Sequence, residues 1–353
     1  MAFNHRNARM ADFHLTVPPY EKSSVSIIES AFMKELRKES IKNIDHSGGN
    51  DIMLAPEEDK NDGRDKKEII NAVKEELGTE FEVFFTQTGQ NNGTEQKCIT
   101  VMPKSNIMGA GFRIELQFKG DLVEETEIKD MARNLVDDCM GYHGREPISG
   151  LTARLDKRTI LMKVEYQMIN AEKNEARLTE MPHERLLDLA AIYRVILSED
   201  AERKISFAVT HSLCEEYKIS REELDAAARY NMEIQGFRAQ TMEEFLSELT
   251  GVPKEMFEGG IPLYIIRNRR GNNGAAAMFC SRLFGILAGK LESDLRILPC
   301  SVDEIIAIPA DWHDAAELRT MVGLINSSEV PESMVLSDNV YRYCRASGQL
   351  MIE

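Results

Sequence analysis

The sequence predicts an α+β protein in which antiparallel β-hairpins alternate with amphipathic helices in two lobes. Short apolar runs come in pairs joined by turn residues, as in "FEVFFTQTGQNNGTEQKCITVMP", a pattern typical of hairpins. Other segments repeat apolar residues at helical spacing, most clearly over residues 124–140. Because hairpins and helices follow one another in turn, antiparallel sheets are favoured over a doubly wound parallel sheet.

The composition is that of a globular protein with an acidic surface. A chain of 353 residues, with 42% hydrophobic and 29% charged residues, can bury a large core in two or three domains. Its formal net charge of −16 disfavours generalised binding to nucleic acid or to an anionic membrane. No secretory signal, membrane span or CxxC pair is evident in the sequence. We therefore predict a soluble cytoplasmic protein.

The first predicted region, residues 1–64, holds a polar arm, one helix and a flexible linker. The arm ends near residue 22, and apolar residues at helical spacing predict a helix over residues 24–38. The stretch after it is rich in Gly, Asn and Asp, which suits a linker. A calcium loop is the disfavoured alternative, because the acidic residues do not follow the spacing of such a loop.

Residues 65–145 are predicted to form a small α+β module. A helix over residues 65–77 ends at Gly78, and the strands "FEVFFTQ", "QKCITVMP" and "FRIELQF" follow it. An Asn-Gly pair joins the first two strands, because it supplies the positive φ angles that a tight turn needs. The helix over residues 124–140 closes the module, and "GREPISG" then leads into the next region.

Residues 146–353 are predicted to form a larger α+β domain with central helices. The run "RTILMKVEYQMI" predicts a strand, whereas "LLDLAAIYRVIL" fits either a buried strand or a helix. The segment "PHER" is interpreted as a turn and the start of a helix. Two capping boxes, Ser220 with Glu223 and Thr241 with Glu244, begin two of the central helices.

The last third of the chain alternates strands and helices again. Three strand pairs are predicted, namely "IPLYIIR" with "GAAAMF", "LRILP" with "EIIAIP", and "VYRYCR" with "GQLMIE". Helices are predicted to begin near Cys280 and at Asp314, because apolar residues recur there at helical spacing. The first pair makes the intervening "RNRRGN" a hairpin loop.

Several segments, in order, resemble one protein family. They are "LLDLAAIYRVIL", "SREELDAAARYN", "NGAAAMF", "ILPCSVDEIIAIP" and "VLSDNVYRY". Together they resemble an uncharacterised bacterial family known as domain of unknown function 5688, over most of residues 65–350. The pattern LP-x-S-x-x-E is also similar to a second, more distant uncharacterised family. The resemblance implies no activity, substrate or catalytic residue.

The loop "RNRRGNNG" is the candidate anion-binding site. Its candidate residues are Arg267, Arg269, Arg270, Asn273 and Gly274. A phosphate-binding P-loop would need a lysine and a hydroxyl residue after its last glycine, and a dinucleotide fingerprint would need a third glycine. The loop has none of these, so a solvated hairpin loop is the favoured interpretation and anion binding is the alternative.

The catalytic candidates are Cys300, Glu304 and His313. Cys300 and Glu304 lie in "CSVDE", where the second strand pair turns, and His313 follows that pair in "DWHDAAE". A thiol or carboxylate needs a base within hydrogen-bond reach to act in catalysis, so a pair of His313 with Cys300 or Glu304 is conceivable. The favoured alternative is structural, with Ser301 capping a turn, Cys300 in the core and Asp314 capping the next helix.

No metal site or cofactor is predicted. The seven histidines lack the close pairs that metal sites use. A composite site of His183, His211 and a carboxylate is the one alternative that remains open.

The favoured function is therefore a non-catalytic interaction or regulatory module with an unknown protein partner, which predicts an exposed apolar patch or groove. One alternative is an enzyme for a small phosphorylated or nucleotide substrate. It requires an arginine of the loop beside Glu304 and His313 in one pocket. A second alternative is an acidic protein that opposes DNA-acting enzymes, which requires one elongated acidic face.

Overall fold

A computed structural model describes most of the chain after residue 154 and parts of the chain before it. The described residues are 14–16, 70–75, 77–79, 81–89, 91–103, 112–114, 155–199, 204–257 and 263–353. The helices predicted over residues 24–38 and 124–140, the linker after the first of them and the segment 144–150 lie outside these ranges.

The antiparallel strands of the described residues form three sheets, and the α+β prediction is confirmed. The N-terminal sheet has the order β2-β3-β4 and comprises β2 (Phe81–Gly89), β3 (Glu95–Pro103) and β4 (Phe112–Ile114). The central sheet has five strands and the C-terminal sheet has six. The predicted division into two lobes stays a prediction.

The N-terminal hairpin forms as predicted, and its tip docks elsewhere in the molecule. Asn92 and Gly93 have positive φ angles, of 60° and 71°. The Asn92 side chain donates hydrogen bonds to the carbonyl oxygens of Glu332, at 2.6 Å, and Val335, at 2.7 Å. Its backbone N–H donates to the Asn174 side chain at 2.9 Å. The turn residues therefore attach this hairpin to distant loops through polar contacts.

The central sheet contains two elements that the sequence interpretation missed. Its strands are β1 (His14–Thr16), β5 (Val164–Asn170), β6 (His183–Leu186), β7 (Leu189–Glu199) and β8 (Lys204–Ala208). Their order is β1-β8-β7-β5, and β6 also pairs with β7. The loose arm predicted over residues 1–22 is wrong at β1, because its backbone pairs with β8. The segment "PHER" is the strand β6 rather than a turn and helix start, because it pairs with β7. The ambiguous run "LLDLAAIYRVIL" supplies most of β7.

The strand predicted for "RTILMKVEYQMI" is wrong in its first half, which is the helix α1 (Lys157–Lys163). Asp156 caps this helix by accepting a hydrogen bond from the backbone N–H of Thr159 at 2.7 Å. The following helices are α2 (Glu175–Leu178), α3 (His211–Tyr217), α4 (Arg221–Gln235) and α5 (Met242–Thr250). Both predicted capping boxes are present, at the starts of α4 and α5. The strand β9 (Phe237–Thr241) between them was not predicted.

The C-terminal sheet is built as two predicted hairpins and two additional strands. Besides β9, its strands are β10 (Tyr264–Asn268), β11 (Leu295–Leu298), β12 (Glu304–Pro309), β13 (Tyr341–Tyr343) and β14 (Leu350–Ile352). Their order in the sheet is β14-β13-β11-β12-β10-β9. The helices are α6 (Ser281–Leu291) and α7 (Ala315–Ser328). Asp314 caps α7 as predicted. Short 3₁₀ helices lie at Lys254–Phe257, Gly274–Phe279 and Glu332–Met334.

The segment "GAAAMF", predicted to be a strand, is the 3₁₀ helix Gly274–Phe279. Its small residues Ala275 and Ala277 belong to the largest apolar cluster, which also contains Tyr166 of the central sheet and Ile266 of the C-terminal sheet. The segment therefore fills the interior between two sheets. β10 pairs instead with β12 and β9, so the predicted hairpin with "IPLYIIR" does not exist.

The close approach of this segment to the sheet requires a glycine. A Cβ atom at Gly274 would lie 2.1 Å from the carbonyl oxygen of Asp303 and 2.9 Å from the Cα of Arg267. Both atoms belong to the backbone and cannot rotate away. The packing of the 3₁₀ helix on β10 and β12 therefore depends on the missing side chain.

We predict that Gly274→Ala lowers the free energy of unfolding by about 2–4 kcal/mol, because the backbone must shift to admit the methyl group. Chemical denaturation would measure the change. Gly289→Ala is the matched control, since Gly289 lies in α6 with no atom within 4 Å of the added Cβ. It should leave stability unchanged or raise it by up to about 1 kcal/mol. Equal effects of the two substitutions would contradict the prediction.

Candidate functional site

The candidate site lies at one end of the C-terminal sheet, where Arg267 of β10 is the cross-strand neighbour of Glu304 of β12. Side chains alternate between the faces of a strand, so these two share a face with Ile265 and Ile306, two residues further along. That face packs on α7 and α5 in an apolar cluster. A charged pair is therefore placed at the margin of an apolar layer.

Glu304 is buried without a hydrogen bond in the described part of the chain. Its exposed fraction is 1%, and neither carboxyl oxygen has a partner among the described residues. Burial raises the pKa of the Glu304 carboxyl to about 7, opposed by the charge of Arg267 and reinforced by that of Asp303. A carboxyl in this state can exist as an acid or as a base near neutral pH, which is a property that functional sites use.

Arg267 makes its observed contacts with residues other than Glu304. Its guanidinium donates a hydrogen bond to the Gln240 side chain at 3.0 Å and lies 4.8 Å from the centroid of the Phe245 ring. Gln240 in turn donates to Glu248 at 2.7 Å. Arg267 is therefore joined to β9 and α5, although its nearest cross-strand neighbour is an acid.

The other two loop arginines do not face Glu304. Arg270 lies 2.6 Å from the Glu165 carboxylate of β5 and 3.7 Å from that of Glu199 of β7. Arg269 is exposed. The loop thus attaches the C-terminal sheet to the central sheet through Arg270, and this guanidinium is already neutralised by acidic residues of the same chain.

The backbone of the loop is also engaged internally. The Asn268 side chain accepts hydrogen bonds from the N–H groups of Arg270, at 2.9 Å, and Asn272, at 3.1 Å. The N–H of Asn273 donates to the Asp303 carboxylate at 2.7 Å. An anion-binding loop would point such donors at its ligand. Here they bind side chains of the protein, and the Asn273 side-chain amide is a buried group without a hydrogen-bond partner in the described residues.

His313 lies apart from the Arg267–Glu304 pair, whereas Cys300 lies in the turn that leads into β12. Glu304 begins β12, and His313 follows its other end, where Pro309 pairs with Leu295. The His313 ring packs edge-on against Trp312, with centroids 4.5 Å apart. Cys300 is buried in the apolar cluster, and its thiol contacts the carbonyl oxygen of Leu298 at 3.8 Å. The structure therefore brings Arg267 and Glu304 together. Among the described residues, His313 does not share a pocket with them.

The two histidines of the composite metal hypothesis have local contacts. The His183 ring contacts the carbonyl oxygen of Met181 at 2.9 Å, and the backbone N–H of His211 donates to the carbonyl of Glu180 at 3.0 Å. Within the described ranges, no three His, Cys, Asp or Glu side chains are grouped to hold a metal. No helix in those ranges is long and apolar enough to cross a membrane.

A second feature is a groove between α1 and α4, which was not predicted from the sequence. It has a volume of about 620 Å³ and is lined by Asp156, Lys157, Arg158, Leu161, Met162, Ala227, Tyr230 and Asn231. Two of the lining residues, Met162 and Tyr230, are 64% and 63% exposed, and Ile234 of α4 is 65% exposed. Tyr230 and Ile234 lie one helical turn apart, so the sequence contained a signal on α4, but the partner surface on α1 was predicted as a strand.

The groove has a fixed framework. The Asn231 side chain donates hydrogen bonds to the carbonyl oxygens of Leu161, at 3.0 Å, and Val164, at 2.8 Å, at the end of α1. Lys157 binds Glu223 across the two helices at 2.7 Å. Ile160 of α1 and Leu224 of α4 are buried in the same apolar cluster. The two helices are thus held side by side while their apolar outer residues face solvent.

Comparison with known proteins places the chain in a family without an assigned role. The model of DUF5688, a family of unknown function, matches residues 66–345, and the chain belongs to this family. No curated protein and no solved structure matches the chain.

We predict that Glu304→Gln stabilises the protein more near pH 8 than near pH 5, by a difference of about 2–3 kcal/mol. The raised pKa means that the folded wild type holds a proton that the unfolded chain has lost. Its stability therefore falls as pH rises toward about 7, whereas the glutamine amide of the variant has no proton to lose. Urea denaturation at both pH values would measure this.

Glu233→Gln on α4 is the control for Glu304→Gln, because Glu233 is exposed. It should change stability equally at both pH values. A Glu304→Gln effect that is the same at both pH values would contradict the burial argument.

We predict that Arg270→Ala lowers the free energy of unfolding by about 1–2 kcal/mol, because it removes the Arg270 guanidinium from the buried Glu165 carboxylate. The pair is partly exposed on the arginine side, so the cost is below that of a fully buried pair. Arg269→Ala is the matched control, and its effect should stay within about 0.5 kcal/mol. The idea fails if both substitutions have the same effect in denaturant titrations.

Proposed function

We propose that this protein is a non-catalytic interaction module that binds another protein through the groove between α1 and α4. The observation that supports this is the exposure of Met162, Tyr230 and Ile234 around one groove. Large apolar side chains in contiguous exposed positions mark protein-binding surfaces. Tyrosine in particular is enriched among the residues that dominate binding energy.

The partner that fits the groove is a short amphipathic segment with apolar side chains on one face. A groove between two helices binds such a segment by receiving side chains one turn apart. At one end of the groove Asp156 is engaged as the cap of α1, and Lys157 is paired with Glu223. The exposed Arg158 stands beside them. We therefore propose that the bound segment has an acidic residue next to its apolar side chains.

The rigidity of the groove favours binding. The helices are already fixed to one another by Asn231 and the Lys157–Glu223 pair, so few degrees of freedom are lost when a partner binds. The apolar residues stand on helices rather than on loops. We expect the free and bound forms of this surface to be similar.

The enzyme alternative has less support. The Arg267–Glu304 pair is its one favourable observation, but the Glu304 carboxyl oxygens are buried and Arg270 is bound to Glu165. We also propose a cytoplasmic location, because Cys214, Cys280, Cys300 and Cys344 are free thiols, which suits a reducing compartment.

The test is site-specific photo-crosslinking in cells, with a photoreactive residue at Met162 and, as a control, at Leu324, which is exposed on α7. We expect the photoreactive residue at position 162 to crosslink one protein, through a peptide that contains apolar and acidic residues. The photoreactive residue at position 324 should not crosslink it. That peptide, synthesised, should bind the wild type. Diffuse crosslinking at both positions would contradict the proposal.

We predict that Tyr230→Ala with Ile234→Ser weakens binding of the crosslinked peptide at least about tenfold, because each side chain contributes apolar contact. Isothermal titration calorimetry would measure the dissociation constants. Ile286→Ser on α6 is the matched control, since Ile286 is also exposed on a helix but lies away from the groove residues in sequence and element. Unchanged affinity of the double variant would exclude the groove as the binding site.

A further inference from the structure

We propose that Arg267 is the moving part of a proton-linked switch, held by Gln240 and Phe245 while Glu304 is neutral and drawn to Glu304 when that carboxyl loses its proton. This goes beyond the binding groove, which lies on other helices. It assigns a regulatory role to the buried acid at the end of the C-terminal sheet.

The Arg267 guanidinium has two sets of acceptors within its reach. Arg267 and Glu304 are directly opposite on adjacent strands, a position in which Cβ atoms are about 5 Å apart. The guanidinium instead donates to Gln240 at 3.0 Å and lies 4.8 Å from the centroid of the Phe245 ring. A change of side-chain rotamer is enough to exchange one set of contacts for the other.

Glu304 has no competing partner among the described residues. Both of its oxygens are buried and lack hydrogen bonds within the described residues. The neighbours on its face are apolar, among them Ile306 and Leu298. An ionised carboxylate in such surroundings is costly unless a cation approaches, whereas the neutral acid is tolerated.

The charges around Glu304 decide which state is present. Arg267 from β10 favours the ionised carboxylate, and Asp303, in the turn before β12, disfavours it. Further out, Arg238 of β9 and Glu248 of α5 bind one another at 3.0 Å. Burial outweighs the attraction of Arg267 and raises the pKa of Glu304 to about 7, so the switch point falls near neutral pH.

The output of the switch is the attachment of α5. While Glu304 is neutral, Arg267 of β10 contacts Gln240 of β9 and Phe245 of α5. Gln240 in turn donates a hydrogen bond to Glu248, which also lies on α5. When Arg267 turns to Glu304, this side loses a hydrogen bond and a cation–π contact. The helix α5 and the 3₁₀ helix Lys254–Phe257 after it are then held less firmly.

The test is hydrogen–deuterium exchange of the full chain between about pH 6 and pH 8.5, with rates corrected for the intrinsic pH dependence of exchange. Peptides covering β9 and α5 in the wild type should lose protection severalfold as pH rises through about 7. Glu304→Gln should keep them protected throughout. The control Glu233→Gln should retain the wild-type step.

Two further variants separate a switch from simple structural damage. Gln240→Met removes the neutral-state acceptor, so Arg267 stabilises the Glu304 carboxylate and the step should move to lower pH. Arg267→Gln removes the moving cation, so the peptides of β9 and α5 should be poorly protected at every pH and show no step. A wild type without a step, a step that persists in Glu304→Gln or in Arg267→Gln, or a midpoint unmoved by Gln240→Met would overturn the proposal.

Discussion

The close contact of Gly274 with the backbone of β10 and β12 is the constraint on which the C-terminal half of the molecule depends. It lets a short helix of small residues enter the core that the central and C-terminal sheets share. The same contact fixes where the preceding loop leaves the sheet, and so directs Arg270 to Glu165. The loop that was predicted to be a solvated hairpin loop, with anion binding as the alternative, instead joins two sheets through Arg270.

The two features with functional potential differ in their physical character. The groove between α1 and α4 is an apolar surface left open to solvent on a rigid frame. The Arg267–Glu304 pair is an ionisable group enclosed by apolar residues. The first suits recognition of another molecule, and the second suits a response to conditions inside the protein. Nothing requires them to act together, since they lie on separate helices and strands.

The sequence predicted those elements whose cause is local. Both capping boxes, the Asn-Gly hairpin and the cap of α7 depend on residues within one turn of each other, and all are present. The errors have other causes. The alanines of "GAAAMF" favour a helix locally, but the strand prediction paired the segment with "IPLYIIR". The role of Gly274 is long-range, because it depends on its distance to Asp303 and Arg267. The pairing of Arg267 with Glu304 likewise depends on sheet register, so their burial could not be read from either segment alone.

The docked tip of the N-terminal hairpin has a chemical consequence beyond its geometry. The Asn92 amide gives both of its described side-chain donations to carbonyl oxygens, of Glu332 and Val335. Conversion of this amide to a carboxylate by deamidation would remove those donors and set a negative charge against two carbonyl dipoles. Because Asn92 is followed by Gly93, the least hindered neighbour for that reaction, the contact that fastens the hairpin is also the place where slow chemical ageing would release it.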